Sequence, residues 1–168
     1  MWYYKQLFMS FLVLVVLSAC QTISTADITA RTQADLDRIE IATATNRYEQ
    51  LFNRQMRDNL NQGAGLRDLA LTINLTPTNS STLAVKGKTS TLSRTTMRLD
   101  YSLSDRISGA VLTKGSLTAT STSGTVSSYF GQDKSKQFAA ERLTLNLADK
   151  LALTLRRHFL KETKAHKG

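Results

Sequence analysis

The one strong nucleophile in this sequence is the thiol of Cys20, the chain's single cysteine. It follows Leu17-Ser18-Ala19. Small residues at 18 and 19 fit the narrow cleft of a signal peptidase, so the four residues read as a lipobox whose thiol takes a diacylglyceryl group. The residues upstream agree. Residues 1–5 carry one basic side chain, Lys5, and residues 7–17 are apolar except for Ser10. That is the short apolar region of an export signal. A spanning helix needs roughly 20 apolar residues, more than this stretch supplies. Residues 1–19 are therefore expected to be a lipoprotein signal peptide, with Cys20 the acylated first residue of the mature chain. Each buried methylene contributes about 0.8 kcal/mol, so two or three acyl chains hold durably where one is reversible. With no second cysteine the fold must stand without an intrachain disulfide.

Other reactive side chains do not assemble into a catalytic pattern. His158 and His166 lie in a basic C-terminal region, far from Cys20 and at no metal-ligand spacing. Gly63-Ala64-Gly65 is too short to cradle a nucleotide phosphate and reads as a helix-to-strand loop. The abundant Ser and Thr residues follow strand composition and have no base beside them. The expectation is a protein that is not an enzyme and holds neither metal nor cofactor.

Charge points to a class of partner. The 168 residues carry 22 basic and 13 acidic side chains, a formal net charge of +9 that becomes +8 once Lys5 leaves with the signal peptide. Residues 20–82 are near balance, and the excess of cations falls in residues 83–122 and 133–168. Nucleic acid is the usual partner of such a charge, but an exported chain does not meet it. The polyanions of a bacterial envelope are phospholipid headgroups and phosphorylated glycolipids.

The elements that must carry these residues follow from periodicity. Residues 21–34 are polar without a sustained period, so residues 20–35 are expected to be an acylated tether. Residues 38–42 alternate as a strand. Tyr48, Leu51, Phe52, Met56 and Leu60 recur at helical spacing, with Thr45 or Asn46 as the start cap and Gly63 as the end. Residues 69–75 alternate again and Pro77 is expected to close that strand. Residues 79–81 read as a loop, and residues 83–88 as a short extension of a neighbour. A long strand over residues 91–104 places odd positions from Met97 on one face. Residues 105–109 form a turn, and residues 110–123 return as a Ser/Thr-rich strand. Residues 134–160 fit both periods, since leucines alternate from Leu143 to Leu147 and from Leu151 to Leu155. Ala140, Leu143, Leu147, Leu151 and Leu155 also form one helical stripe. More than twenty residues without Gly or Pro favour a single helix. The order β-α-β-β-β-α predicts an α+β two-layer sandwich: a four-stranded, mainly antiparallel sheet with two helices on one face. Residues 36–160 form the single domain and residues 161–168 a basic tail.

This arrangement resembles the LPS-assembly lipoproteins, the LptE family. The resemblance rests on the lipobox cysteine, the helix NRYEQLFNRQMRDNL, Ser93-Arg94, residues 99–105 (LDYSLSD), Gly109, Ser128-Tyr129 and the closing-helix segment Ala148-Asp149-Lys150-Leu151. It covers nearly all of the mature chain. It implies a non-enzymatic outer-membrane lipoprotein that plugs and helps fold the β-barrel of the lipopolysaccharide translocon, the LptD partner, and binds lipopolysaccharide. It further implies that Arg94 contacts lipopolysaccharide, its guanidinium gripping a phosphate with two parallel hydrogen bonds. A second basic contact falls at Lys134 or Lys136. Arg98 and Lys114 are added because they lie on neighbouring strands of the basic half. Among lipoproteins, Asp after the acylated cysteine implies inner-membrane retention, so Gln21 favours the outer membrane, with the domain at its periplasmic face. The chain departs from the family's best-known members in its short loops and in lacking a long polar C-terminal extension. Another reading from the same features is an auxiliary lipoprotein of an envelope lipid-transport ATPase.

Overall fold

The computed structural model describes residues 25–60, 66–82, 92–124 and 128–165. Cys20 and the segment read as a signal peptide, the Gly63-Ala64-Gly65 segment read as a loop, residues 83–88 and His166 lie outside them. The chain divides into two compact units, Met1–Arg31 and Thr32–Gly168. Helix α1 (Thr25–Asp37) begins in the first and ends in the second. The second unit contains β1 (Ile39–Ile41), α2 (Arg47–Leu60), β2 (Leu69–Thr82), β3 (Leu92–Asp105), β4 (Val111–Gly124) and α3 (Tyr129–Ala165).

The sheet has the order β1-β2-β3-β4. The three long strands pair antiparallel, while β1 pairs parallel with β2 across the α2 crossover. This is the expected α+β architecture. Parity decides what is buried. Leu69, Leu71 and Leu75 of β2, Met97, Leu99 and Leu103 of β3 and Ala119 of β4 lie in the core. The register sets Leu75 beside Leu99 and Leu99 beside Leu117. From α3, Ala140, Leu143, Leu147, Ala148, Leu151 and Leu155 are buried against this face, which settles the ambiguous leucine pattern as one helix. From α2, Phe52, Met56 and Leu60 complete the layer. At ~1.5 Å per residue a helix of this length spans about 55 Å, enough to cover fourteen-residue strands end to end.

Helix starts and turns have local causes. Asn46 Oδ1 accepts the Glu49 amide at 3.0 Å, while Glu49 Oε2 accepts the Thr45 amide at 2.7 Å and the Thr45 hydroxyl at 2.8 Å. Asn46 thereby satisfies an amide that the first helical turn leaves unpaired, and Glu49 reaches back to tie down the residue before the cap. At the other end of α2, Gln33 Nε2 donates to Leu60 O and Arg156 donates to Asn59 O at 2.8 Å. Asp149 accepts from Gln55 at 3.0 Å and Asn59 at 2.8 Å, tying α3 to α2. In the β3–β4 turn, Asp105 Oδ1 accepts the amides of Ile107 and Ser108 and the Ser108 hydroxyl. Gly109 there takes φ 72°, a backbone conformation that a Cβ disfavours.

Four expectations need correction. The segment read as tether is helical from Thr25, and its end docks through the buried Thr32 and Leu36, one helical turn apart. Strand β2 does not stop at Pro77. It runs on through residues 79–81, read as loop, because each has a β3 partner: Pro77 opposite Met97, Asn79 opposite Thr95 and Ser80 opposite Arg94. Pro77 is tolerated there because β1 flanks only residues 69–71, and no other described strand pairs with that edge of β2. The closing helix runs past residue 160 to Ala165, over most of the expected tail, because Leu155 and Phe159 anchor its last turns.

Candidate functional site

Even-numbered residues of β2, β3 and β4 face away from the helices. Read rung by rung across the sheet, they are Thr72, Ser102 and Lys114, then Asn74, Asp100 and Ser116, then Thr76, Arg98 and Thr118. The next rungs are Thr78, Thr96 and Thr120, then Ser80, Arg94 and Thr122. The described residues lay no element over this face. Short hydroxylated and amide side chains can hydrogen-bond one another across such a face, and Thr96 and Thr120 meet hydroxyl to hydroxyl at 3.3 Å. β-branched Thr keeps the extended backbone while remaining wettable.

Three of the five basic residues named from sequence share this face. Arg94 and Arg98 lie four residues apart on the inner strand β3, and Lys114 stands opposite Ser102 on the edge strand β4. At ~3.4 Å per residue the cations recur about every 14 Å along the strand direction. They differ in availability. Arg98 grips Asp100 through Nε at 3.0 and 3.1 Å and Nη2 at 2.9 Å. Those bonds hold the Asp100 carboxyl below its ordinary range and raise the guanidinium of Arg98, so the pair stays charged and mutually engaged. Arg94 and Lys114 have no carboxylate partner among the described residues. Lys114 borders a shallow depression of about 610 Å³ walled by Thr72, Asn74, Asp100, Ser102 and Ser116. Ile73, Tyr101 and Gly115 line it as well, and its surface is mostly apolar. A Cβ on Gly115 would lie 2.8 Å from the Tyr101 hydroxyl, so the ring covers this glycine closely.

The other two residues are elsewhere. Lys134 and Lys136 lie near the start of α3, in the helical layer behind the sheet. Lys134 donates to Gln137 at 3.1 Å and stands 5.7 Å from the Phe130 ring centroid. The structure thus gathers Arg94, Arg98 and Lys114 on one face and leaves Lys134 and Lys136 off it.

Sequence reading missed a polar concavity elsewhere. A cleft of about 570 Å³ runs between β1 and α2, with Arg54, Arg57 and Arg67 on its walls and Asn53 among its lining. The available signal was Asn53 itself, which stands beside Phe52 within the buried stripe of α2 and is only 5% exposed.

Among the described residues, no three His, Cys, Asp or Glu side chains come together as metal ligands, and no helix is long and apolar enough to cross a membrane. His158 packs edge-on against Phe159 and lies 3.5 Å from Glu162.

No protein-family profile matches the chain, and no curated protein matches it either. Solved structures do. A Caulobacter crescentus protein described as a lipoprotein superimposes with a TM-score of 0.61 at 19% identity, over 78% of this chain and 96% of its own. A minor lipoprotein of Acinetobacter baumannii gives 0.55 at 13%, over 71% and 88%. Rare lipoprotein B of Shewanella oneidensis gives 0.50 at 8%, over 77% and 97%. At these identities the likeness establishes the fold: this chain adopts, over nearly the whole length of these neighbours, an architecture found in bacterial lipoproteins.

Proposed function

We propose that this chain is an outer-membrane lipoprotein of the LPS-assembly type, anchored through Cys20 at the periplasmic face and enclosed by the β-barrel that translocates lipopolysaccharide. The observation that carries the reading is the uncovered, hydroxyl-rich outer face of β2, β3 and β4. The lumen of an outer-membrane barrel is polar. A sheet face of Thr, Ser and Asn side chains matches such a wall by exchanging hydrogen bonds with it, with or without bridging water. Phosphates of lipopolysaccharide would be met by the unpaired guanidinium of Arg94 and by Lys114. Arg98 contributes less because Asp100 already occupies its donors. Lys134 and Lys136 contribute through the start of α3, away from the sheet face. The shared lipoprotein architecture and the lipobox support the anchor.

Isolation of the full lipidated chain from envelopes in mild detergent tests the assembly. Co-recovery of a large, heat-modifiable β-barrel in equal amount is the expected result. Recovery with inner-membrane transport subunits instead would sink the proposal.

A further inference from the structure

We propose that the cleft between β1 and α2 is a docking groove for an extended acidic peptide segment of a partner protein. One wall is a polar stripe of α2, with Gln50, Asn53, Arg54, Arg57 and Asp58 at helical spacing. That stripe is about 12 Å long, the span of about four extended residues. The other wall is β1 and the loop after it, including Ile41, Thr43 and Ala44. Among the described residues β1 is an edge strand, with β2 as its single neighbour in the sheet. Leu69 N–H donates to Arg38 O at 3.1 Å and Ala42 N–H to Leu71 O at 3.0 Å, so even residues pair with β2. The alternation of a parallel ladder then turns the peptide groups of Ile41 away from β2. An added strand takes its main-chain hydrogen bonds from such groups.

Charge sets the chemistry of the segment. Arg54, Arg57 and Arg67 have no ion-pair partner among the described residues, whereas Arg38, Arg47, Arg98 and Arg106 are all paired. Of the two carboxylates on the walls, Glu40 is engaged by Arg106, leaving Asp58 against three free guanidinium groups. Asn53 adds an independent sign. Its Nδ2 donates to Ala42 O at 2.8 Å, but its buried Oδ1 has no partner. A buried acceptor left open in this way is uncommon in a folded protein, and the N–H of an incoming strand is a donor of the right kind. A compact anion would use one or two of the arginines. A segment with spaced acidic side chains uses the line of them and the strand edge together.

The groove lies at the sheet edge and its proposal does not rest on the outer-face reading. The test uses the full chain in detergent micelles and a capped five-residue peptide alternating valine and glutamate, with an alternating valine and lysine peptide as control. The acidic peptide should slow hydrogen exchange at the Ile41 amide and shift the Thr43, Ala44 and Asn53 signals. Arg54→Glu with Arg57→Glu, both at exposed positions, should weaken binding by about tenfold or more while the circular dichroism spectrum is unchanged. Arg94→Glu, on the outer face, should leave it intact. No response at residues 39–44, an equal response to the lysine peptide, or equal weakening by Arg94→Glu would each overturn the proposal. The last outcome would mean attraction to net charge alone. Lipopolysaccharide binding, read separately with Arg94→Ala, decides the outer-face assignment without touching this one.

Discussion

The two faces of β3 are built from alternate residues of one strand, and they follow opposite rules. Met97, Leu99 and Leu103 are fully buried in one cluster with the leucines of α3; Arg94 and Arg98 are exposed and Thr96 half-buried, one step out of phase, and no other described layer covers them. Substitutions on one face should therefore change stability and leave binding alone, and those on the other should do the reverse.

The comparison breaks most easily with truncations. Leu99→Ala removes a fully buried side chain and should cost about 2–5 kcal/mol in urea unfolding, since the cavity adds to the lost transfer energy. Thr118→Ala, on the next strand but the outer face, should stay within about 0.5 kcal/mol of the parent. Equal losses would show that the outer face is part of the folding core. Arg94→Ala should weaken lipopolysaccharide binding about tenfold, the usual value of a hydrogen bond to a charged group, with an unchanged urea midpoint. Arg98→Ala should weaken it less because Asp100 already holds that guanidinium. The reverse ranking would reassign the contact.

Smaller effects sharpen the structural side. Asn46→Ala removes the side chain that accepts the Glu49 amide and should destabilise by about 1 kcal/mol, read from the same unfolding curves. The smallest effect is acid sensitivity. Glu49, Asp68, Asp100 and Asp105 sit below their ordinary values, held there by hydrogen bonds from Thr45, Arg38, Arg98 and Ser108 respectively. The unfolded chain then takes up protons first as pH falls. The stability these groups contribute is complete above their unfolded values, near 4.5 for Glu49 and 3.8 for the aspartates, and is lost as pH drops through the lower folded values. Asp105→Asn keeps an acceptor in the turn but removes the charge, so the urea midpoint should fall less steeply in acid than that of the parent. An unchanged slope would assign the acid response to the other three carboxyls.

Much of this was legible in the residues. The apolar parity of residues 97–103, the helical stripe of α2 and the turn at residues 105–109 each carry a local pattern that survives in three dimensions. The leucines from Leu143 to Leu155 were legible only through length, because two periods fit them and burial of Ala140, Ala148 and Ala152 between the leucines decides for helix. What escaped was set by distant partners. Pro77 and Asn79-Ser80-Ser81 have turn chemistry, yet pairing with residues 93–97 holds them in a strand. Helix α1 carries too sparse an apolar stripe to announce itself, and Thr32 and Leu36 are its buried contacts. Of the proposed site, the shared face of Arg94 and Arg98 followed from strand parity. The engagement of Arg98 by Asp100 also lay in the sequence, as residues i and i+2 of one face. The separation of Lys134 and Lys136 from that face did not, because it depends on which layer α3 occupies. The β1–α2 cleft depends on a buried asparagine that composition alone treats as surface.

The central claim, that the outer sheet face meets a barrel wall, is tested most directly by site-specific photo-crosslinking in intact envelopes, with the probe in place of Thr96. Its side chain lies mid-strand on the outer face, opposite Thr78 and Thr120. Crosslinks to a heat-modifiable outer-membrane barrel, absent when the probe replaces Glu162 on α3, are the predicted result. A Thr96 probe that captures only inner-membrane transport subunits, or nothing at all, would contradict the account.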